Sequence, residues 1–111
     1  MSECMTGEPT PDELRQEVTR RYGVPVEYVY VVRAPYRVCP LGAHVDHQLG
    51  QVTALALDRG VLLEFAASHT QEVRLASLSF PGETRFWLDD IPPAQTGDWG
   101  NFARGAVLAL Q

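Results

Sequence analysis

Two apolar segments separated by a polar, turn-forming stretch constrain this fold more than any other feature of the sequence. The first segment, VEYVYVV, covers residues 26–32 and the second, VTALAL, covers residues 52–57. Their β-branched and aromatic residues are typical of strands. The intervening stretch, residues 33–50, places Arg37, His44, Asp46 and His47 within eleven positions. Because loops anchored by strands commonly carry binding and catalytic residues, we interpret this stretch as the functional centre.

Length and charge exclude several classes of protein. A chain of 111 residues forms one domain at most, and the net charge of -5 without any run of Lys or Arg argues against nucleic acid and anionic membranes as partners. No apolar run approaches the roughly 20 residues that span a bilayer, and the first residues show no export signal, so we predict a cytoplasmic protein. Cys4 and Cys39 lack metal-ligand spacing, which indicates reduced thiols.

A helix is predicted from Thr10 onward. Thr10 is a candidate N-cap, Pro11 suits the first helical position, and Glu13 completes a capping box. Gly23 is expected to end the helix. An apolar stripe is expected to pack on a sheet and the opposite face is expected to be solvated; the stripe is Leu14, Val18 and Tyr22, and the solvated face includes Arg15, Glu17 and Arg20.

Strands are predicted in the middle of the chain. Pro35 predicts a bend or an edge in the first of them. Gly60 favours either a tight hairpin turn or a kink within one long strand. The predicted strands cover residues 26–34, 52–58, 60–68, 71–80 and 83–91. The sequence therefore predicts an α+β fold, with a mixed or antiparallel sheet, one helix before it and one after it.

The second helix is predicted in WGNFARGAVLALQ, residues 99–111, with Asp98 as its cap. No stop signal appears before Gln111. This pattern fits both a chain that continues beyond Gln111 and a helix that frays at a genuine terminus.

Residues 35–50, PYRVCPLGAHVDHQLG, resemble the signature PGRVNLIGEHTDYNGG of the galactokinase, homoserine kinase, mevalonate kinase and phosphomevalonate kinase superfamily. Two further segments are similar to the family: residues 52–68, with V-x-x-x-A-x-x-x-G spacing, and Trp99-x-Asn101-Phe102-x-x-Gly105. The resemblance implies the N-terminal part of the kinase fold, which is ribosomal protein S5 domain 2-like. It implies an incomplete galactokinase-like domain at residues 10–111 after a flexible leader at 1–9.

The resemblance also implies roles for individual residues. Arg37 resembles the arginine near the transferred phosphoryl group, where a guanidinium suits the spreading charge. His44, Asp46 and His47 resemble sugar-binding positions, and Gly42 and Gly50 would allow close backbone approach in that site. Trp99 is a candidate for cofactor binding by stacking on adenine.

Structural alternatives remain open for these residues. Arg37 could brace the loop, and Asp46 could accept a hydrogen bond in an Asx turn. His44 could be a structural histidine, while Trp87 and Trp99 could be packing residues. A metal site at His44, Asp46 and His47 would need a distant ligand such as His69, so we predict no metal.

Departures from the signature concern substrate and reaction. Ala43 replaces the family's glutamate, a loss that costs on the order of 1.5 to 3 kcal/mol for a hydroxyl contact. His47 replaces its tyrosine, Cys39 its asparagine and Tyr36 its first glycine. The substrate is expected to be a monosaccharide, galactose or a related sugar.

The family's phosphate loop, P-x-G-x-G-L-x-S-S, does not occur in these 111 residues. ATP and Mg²⁺ are therefore expected only for a complete enzyme, and this chain alone is expected to bind without phosphorylating. Two hypotheses follow. The chain is either the sugar-recognising portion of a galactokinase-like kinase, completed by a C-terminal kinase half, or a non-catalytic sugar-binding or regulatory module.

Overall fold

The computed structural model describes residues 8–111. Cys4 and most of the leader predicted at residues 1–9 lie outside the described residues. The chain divides into two compact units between Ala66 and Ala67. None of the helices in the described part of the chain is long and apolar enough to cross a bilayer.

Helix α1, Pro11–Tyr22, has the ends that the sequence predicts. The Thr10 amide donates to Glu13 Oε2 at 2.7 Å, and the Glu13 amide donates to Thr10 Oγ1 at 3.3 Å. The hydrogen bond from the Thr10 backbone lowers the pKa of Glu13. Gly23 adopts the left-handed conformation at φ 69° and its amide bonds to the Thr19 carbonyl. The capping box and the glycine stop are both confirmed.

On the face of α1 predicted to be solvated, Arg15 and Glu17 are only partly exposed. Leu14, Val18 and Tyr22 are half-buried, as their spacing predicts, and α1 packs on strand β2, Leu55–Phe65. Arg15 was predicted on the solvated face, and 38% of its side chain is exposed. The Arg15 Nε atom is buried and lies 3.9 Å from Glu64 Oε2 of β2. A helix face that packs on a sheet is wide, so it also covers polar residues that are adjacent to the apolar ones.

Strand β1, Tyr30–Val38, pairs antiparallel with β2. The strand predicted from residue 26 begins later because Val26–Tyr28 form a 3₁₀ turn after Pro25, with the Tyr28 amide bonded to the Pro25 carbonyl at 3.0 Å. The register shifts between Pro35 and Arg37, which confirms the predicted bend. Strand β2 passes through Gly60 without a turn, so the kink interpretation of Gly60 is correct and the hairpin interpretation is wrong.

The two faces of the β1–β2 sheet differ in burial. Leu62 is half-buried and the Glu64 side chain is buried, while Leu63 and Phe65 point to the opposite face and are exposed. On that exposed face, Tyr30 stacks on Phe65 with ring centroids 5.7 Å apart. The first unit therefore has one helix-covered face and one apolar face open to solvent.

The second unit contains strands β3, Glu72–Ala76, and β4, Glu83–Trp87, which pair antiparallel, and helix α2, Asn101–Leu110. Its buried residues are Thr84, Phe86, Gly100 and Arg104. The described strands thus form two separate two-stranded sheets instead of the single sheet expected from the sequence. Strand β3 is shorter than predicted because Ser77 Oγ accepts hydrogen bonds from the amides of Ser79 and Phe80, which folds the chain into a turn.

Helix α2 begins at Asn101, two residues later than it would if Asp98 were its cap. Gly100 occupies the N-cap position, so the prediction for Asp98 is wrong. The Asp98 carboxylate instead accepts hydrogen bonds from the Gly100 amide at 2.8 Å and from Arg104 at 2.6 Å. The hydrogen bond from Arg104 is the main reason why the pKa of Asp98 is lowered.

Candidate functional site

The connection between β1 and β2, residues 39–54, forms a closed loop that we call the central loop. The Thr53 amide donates to the Leu41 carbonyl at 3.0 Å, and Thr53 Oγ1 accepts from the Leu41 amide at 3.1 Å. Cys39 Sγ donates to the same carbonyl at 3.3 Å. Leu41 and Thr53 therefore close the two ends of the loop as a strand pair would.

Thr53 was missed by the sequence reasoning. It lies in the apolar run VTALAL, where we assigned it to a strand by composition alone. The signal that could have identified it is its hydroxyl, which is the only one in that run. A hydroxyl at the edge of a polar loop is well placed to bond to backbone groups that no strand partner satisfies.

Two successive turns present the candidate sugar-binding side chains. The Val45 amide bonds to the Gly42 carbonyl at 3.3 Å, and this turn carries His44. A 3₁₀ turn follows at Asp46–Gln48 and carries Asp46 and His47. The structure thus places His44, Asp46 and His47 together on one exposed turn region of the central loop.

Gly42 and Gly50 show the close backbone approaches that their residue type predicts. Gly42 has φ 83°, and a Cβ atom there would lie 2.5 Å from the Gln51 carbonyl oxygen. A Cβ atom on Gly50 would lie 2.7 Å from Val45 Cγ2, while the Gly50 amide bonds to the Val45 carbonyl at 2.9 Å. Neither position accommodates a larger residue in this loop conformation.

Arg37 lies outside the central loop, on β1. It pairs with Ala56 of β2 directly after the register shift, and it is exposed. Three residues of β2, between Ala56 and Gly60, lie opposite the single residue Tyr36 of β1, so the extra residues of this irregularity belong to β2. Strand and loop therefore contribute separate parts of the candidate site.

The acidic and imidazole groups of the loop are open to solvent. Asp46 Oδ1 lies 3.9 Å from His47 Nδ1, with 78% and 68% of the two side chains exposed. A separation of 3.9 Å is too long for a direct hydrogen bond, which leaves the Asp46 carboxylate accessible to a ligand hydroxyl. Within residues 8–111, no group of three His, Cys, Asp or Glu side chains is arranged to hold a metal ion.

The tryptophan candidates lie in the second unit. Trp99 is half-buried, its Nε1 donates to the Pro81 carbonyl at 3.1 Å, and its ring stacks on Phe80 at 6.1 Å and 18°. It lines an open pocket of about 460 Å³ together with Thr84, Arg85 and Arg104. Trp87, at the end of β4, is 50% exposed. The Trp99 ring stacks on Phe80 and also borders the pocket. It can therefore be a packing residue and stack on a ligand at the same time.

The similar proteins that we compared with this chain are named galacturonokinase or galactokinase. A galacturonokinase of Arabidopsis thaliana is 41% identical over 93% of this chain and 29% of its own length. A galactokinase of Roseiflexus sp. strain RS-1 is 33% identical over 89% of the chain and 25% of its own length, and one of Mycobacterium tuberculosis is 37% identical over 70% and 21%. The chain thus spans about a quarter of the length of these relatives. No protein-family model matches the chain, and no solved structure matches it.

Proposed function

This chain is a galactokinase-like segment, and on that premise we propose that it is the sugar-recognising portion of a kinase that phosphorylates a monosaccharide at its anomeric hydroxyl with ATP. The observation that carries the proposal is the exposed turn of the central loop, which matches the galactokinase signature and presents His44, Asp46 and His47 together. The fold consistent with it is the N-terminal part of the superfamily's kinase fold.

Asp46 is the residue that we propose fixes the sugar. An exposed carboxylate can accept hydrogen bonds from two neighbouring hydroxyls, and such charge-assisted bonds are roughly twice as strong as neutral ones. His44 and His47, on the same turn region, are placed to add single hydrogen bonds. Gly42 and Gly50 allow the tight turns that carry these three side chains.

Arg37 is the residue that we propose faces the reacting phosphoryl group. Its guanidinium always carries a charge and can donate to two oxygens at once, which suits charge that develops on phosphoryl oxygens. Its place on β1 gives it a more rigid base than a loop position would, and rigid elements hold functional groups more accurately.

Galacturonate is the substrate that we favour within this proposal. Ala43 stands where the galactokinase signature has a glutamate, so this loop lacks a negative charge that would repel a uronate carboxylate. His47 stands where the signature has a tyrosine, and its imidazole can hydrogen-bond to a uronate carboxylate. The relative that is 41% identical carries the name galacturonokinase, whereas the relatives at 33% and 37% are galactokinases.

ATP and Mg²⁺ belong to the proposal for the whole protein only. The phosphate loop of the family is absent from these 111 residues, and Trp99 is the one position that we propose contacts the adenine ring. We derive no step of phosphoryl transfer from the described residues. The cytoplasm, where ATP is supplied, is the compartment that we propose for this function.

Calorimetry of the purified chain tests the sugar site. We expect binding of galacturonate, weaker binding of galactose, and no heat with arabinose or glucuronate. Asp46→Asn should abolish most of the binding, and Arg37→Ala should leave it nearly unchanged because Arg37 faces the phosphoryl group. The matched control is Asp58→Asn, an exposed aspartate on β2 outside the central loop. Unchanged binding by Asp46→Asn would refute the site.

The second candidate is a non-catalytic sugar-binding module. Such a module would need only the exposed turn that carries His44, Asp46 and His47, and no positioned ATP. Reading the coding DNA beyond codon 111 separates the two functions. A kinase reading frame with the phosphate loop supports the enzyme, and an immediate native stop codon supports the module.

A further inference from the structure

Helix α2 contains a buried arginine that the proposed sugar site does not use. Arg104 is 6% exposed, and its Nη2 donates to Asp98 Oδ2 and to Asn101 Oδ1, each at 2.6 Å. A buried guanidinium is costly unless a charge and hydrogen bonds compensate it. Asp98 supplies that charge through a carboxylate oxygen 2.6 Å from Arg104 Nη2.

The two acceptors of Arg104 organise the backbone of residues 95–101, which we call the tryptophan loop. Asn101 Oδ1 accepts from the Gln95 amide at 2.9 Å, and Asn101 Nδ2 donates to the Gln95 carbonyl at 2.6 Å. Asp98 Oδ1 accepts from the Gly100 amide at 2.8 Å. Arg104 therefore joins the start, the middle and the end of the tryptophan loop through one side chain.

Close packing also fixes the tryptophan loop against β4. A Cβ atom at Gly100 would lie 2.9 Å from Thr84 Cγ2 and 3.0 Å from Arg104 Nη1. Thr84 is itself buried. The loop backbone thus lies directly on β4 with Arg104 beside it, and it cannot shift while these contacts persist.

Trp99 is the side chain whose position depends on this arrangement. It lies between Asp98 and Gly100, both of which belong to the network, and it borders the 460 Å³ pocket beside Arg104. Its two other fixed contacts, with the Phe80 ring and the Pro81 carbonyl, involve the turn before β4. The ring therefore has contacts of its own with the turn before β4, while the network at Asp98 and Gly100 holds the backbone from which the Trp99 side chain extends.

We propose that Arg104 is a positioning residue, which holds Trp99 as a preformed aromatic wall of the pocket for the planar ring of a nucleotide. The inference rests on the proposed function in one respect, the assignment of Trp99 to the adenine ring. Preorganisation of this kind improves affinity because the ligand does not have to order the loop when it binds. The position of Trp99 in the free protein can be tested separately from nucleotide binding.

The test uses the fluorescence of Trp99 in a Trp87→Phe background, which leaves one tryptophan. Arg104→Met keeps the length of the side chain and removes its donors. We expect a red-shifted emission and stronger quenching by acrylamide, with unchanged far-ultraviolet circular dichroism. Arg104→Lys keeps the charge beside Asp98 but cannot donate to two acceptors in a planar fork, so we expect an intermediate result.

Two further variants keep the test decisive. Arg85→Met is the matched control, because Arg85 lines the same pocket but pairs with Glu72 outside the network, and we expect unchanged fluorescence. Asp98→Asn is the second test if Arg104→Met does not fold, since an amide still accepts from Gly100 but no longer compensates Arg104. It should also redden the emission. Unchanged Trp99 fluorescence in a folded Arg104→Met or Asp98→Asn protein overturns the inference.

Titration with ADP separates the inference from the proposed function. If ADP quenches Trp99 and Arg104→Met weakens that binding while galacturonate binding is unchanged, both are supported. If ADP causes no change in the parent protein although Arg104→Met reddens the emission, the positioning role stands and Trp99 does not form a nucleotide site in this chain by itself.

Discussion

Glu64 on β2 is a buried carboxylate beside the partly exposed Arg15 of α1, and the two side chains form no direct hydrogen bond. Glu64 Oε2 lies 3.9 Å from Arg15 Nε, and the Glu64 side chain is 2% exposed. Among the described residues, neither carboxylate oxygen of Glu64 has a hydrogen-bond partner. Burial raises the pKa of Glu64 more than the charge of Arg15 lowers it. Glu64 therefore destabilises the folded state when it is ionised.

We predict that Glu64→Gln stabilises the chain at neutral pH, by on the order of 1 kcal/mol, because a neutral amide avoids the cost of burying a charge. The pKa of Glu64 is higher in the folded state than its unfolded value of about 4.5. Below the unfolded value the side chain is neutral and adds no cost of burying a charge. As the pH rises through the folded pKa, the neutral form is lost and that cost appears. The gain from Glu64→Gln should therefore shrink as the pH falls towards 4.5. Urea unfolding of both proteins at a series of pH values measures this difference.

Glu17→Gln is the control, and its effect should have the opposite sign. Hydrogen bonds from Arg20 and then Arg21 lower the pKa of Glu17 to about 2. A lowered pKa contributes stability above the unfolded value and loses it as the pH falls through the folded value, so Glu17→Gln should destabilise the chain at neutral pH and cease to matter near pH 2. If Glu64→Gln destabilised the chain at neutral pH as Glu17→Gln does, the buried pair would be net favourable and our account of it wrong.

The second prediction concerns Gly60, where β1 and β2 approach most closely. A Cβ atom there would clash with the Ala34 carbonyl oxygen and lie 2.8 Å from Pro35 Cα. Gly60→Ala should therefore destabilise the chain by about 1 to 3 kcal/mol, since two backbones would have to separate. The matched control is Gly105→Ala in α2, where a Cβ atom meets nothing within 4 Å. It should stabilise by about 0.5 to 1 kcal/mol in the same denaturation experiment. Equal effects of the two changes would contradict the close approach.

The third prediction concerns Thr53, which closes the central loop through the Leu41 amide. Thr53→Val keeps the shape and removes a hydrogen bond worth about 1 kcal/mol, so we expect roughly fivefold weaker galacturonate binding by calorimetry. Thr19→Val is the control, because the Thr19 hydroxyl is buried without a hydrogen-bond partner among the described residues. Its removal should leave binding unchanged and stability equal or higher. Equal affinity of the Thr53→Val protein and the parent chain would show that loop closure does not support the site.

Features set by local chemistry were predictable from the sequence. The Thr10 capping box and the Gly23 stop depend on residues within one turn, and both were found. The bend at Pro35 follows from the missing amide hydrogen and was also found. The start of β1 was misjudged, because the valines and the two tyrosines of residues 26–32 have strand propensity whereas Pro25 imposes a turn that overrides it.

Features set by contacts between distant residues were not predictable in this way. Arg15 was assigned to solvent because helical periodicity does not reveal which polar residue a sheet will cover, and its partner Glu64 comes from another element. In the candidate site, the residue types on the central loop were identified from the signature, but Thr53 closes that loop from twelve positions away. Asp98 was read as a helix cap because its bond to Arg104 depends on how the tryptophan loop folds. These contacts result from tertiary packing, which the pattern of neighbouring residues in the sequence does not reveal.

The last prediction concerns Ala43, which is exposed in the turn closed by the Gly42 carbonyl and the Val45 amide. Ala43→Glu restores the signature's carboxylate at a position with room for it. A hydroxyl that reaches this carboxylate gains on the order of 1.5 to 3 kcal/mol, so galactose should bind roughly tenfold more tightly or better. Galacturonate should bind more weakly, because its own carboxylate is repelled.

Ala43→Gln is the matched control, since it adds the same bulk without charge and should leave the preference for galacturonate in place. Calorimetry with both sugars at low and high salt measures the change, which should diminish with added salt because the charges are exposed. A preference for galacturonate that survived Ala43→Glu would show that Ala43 does not determine which sugar the central loop accepts.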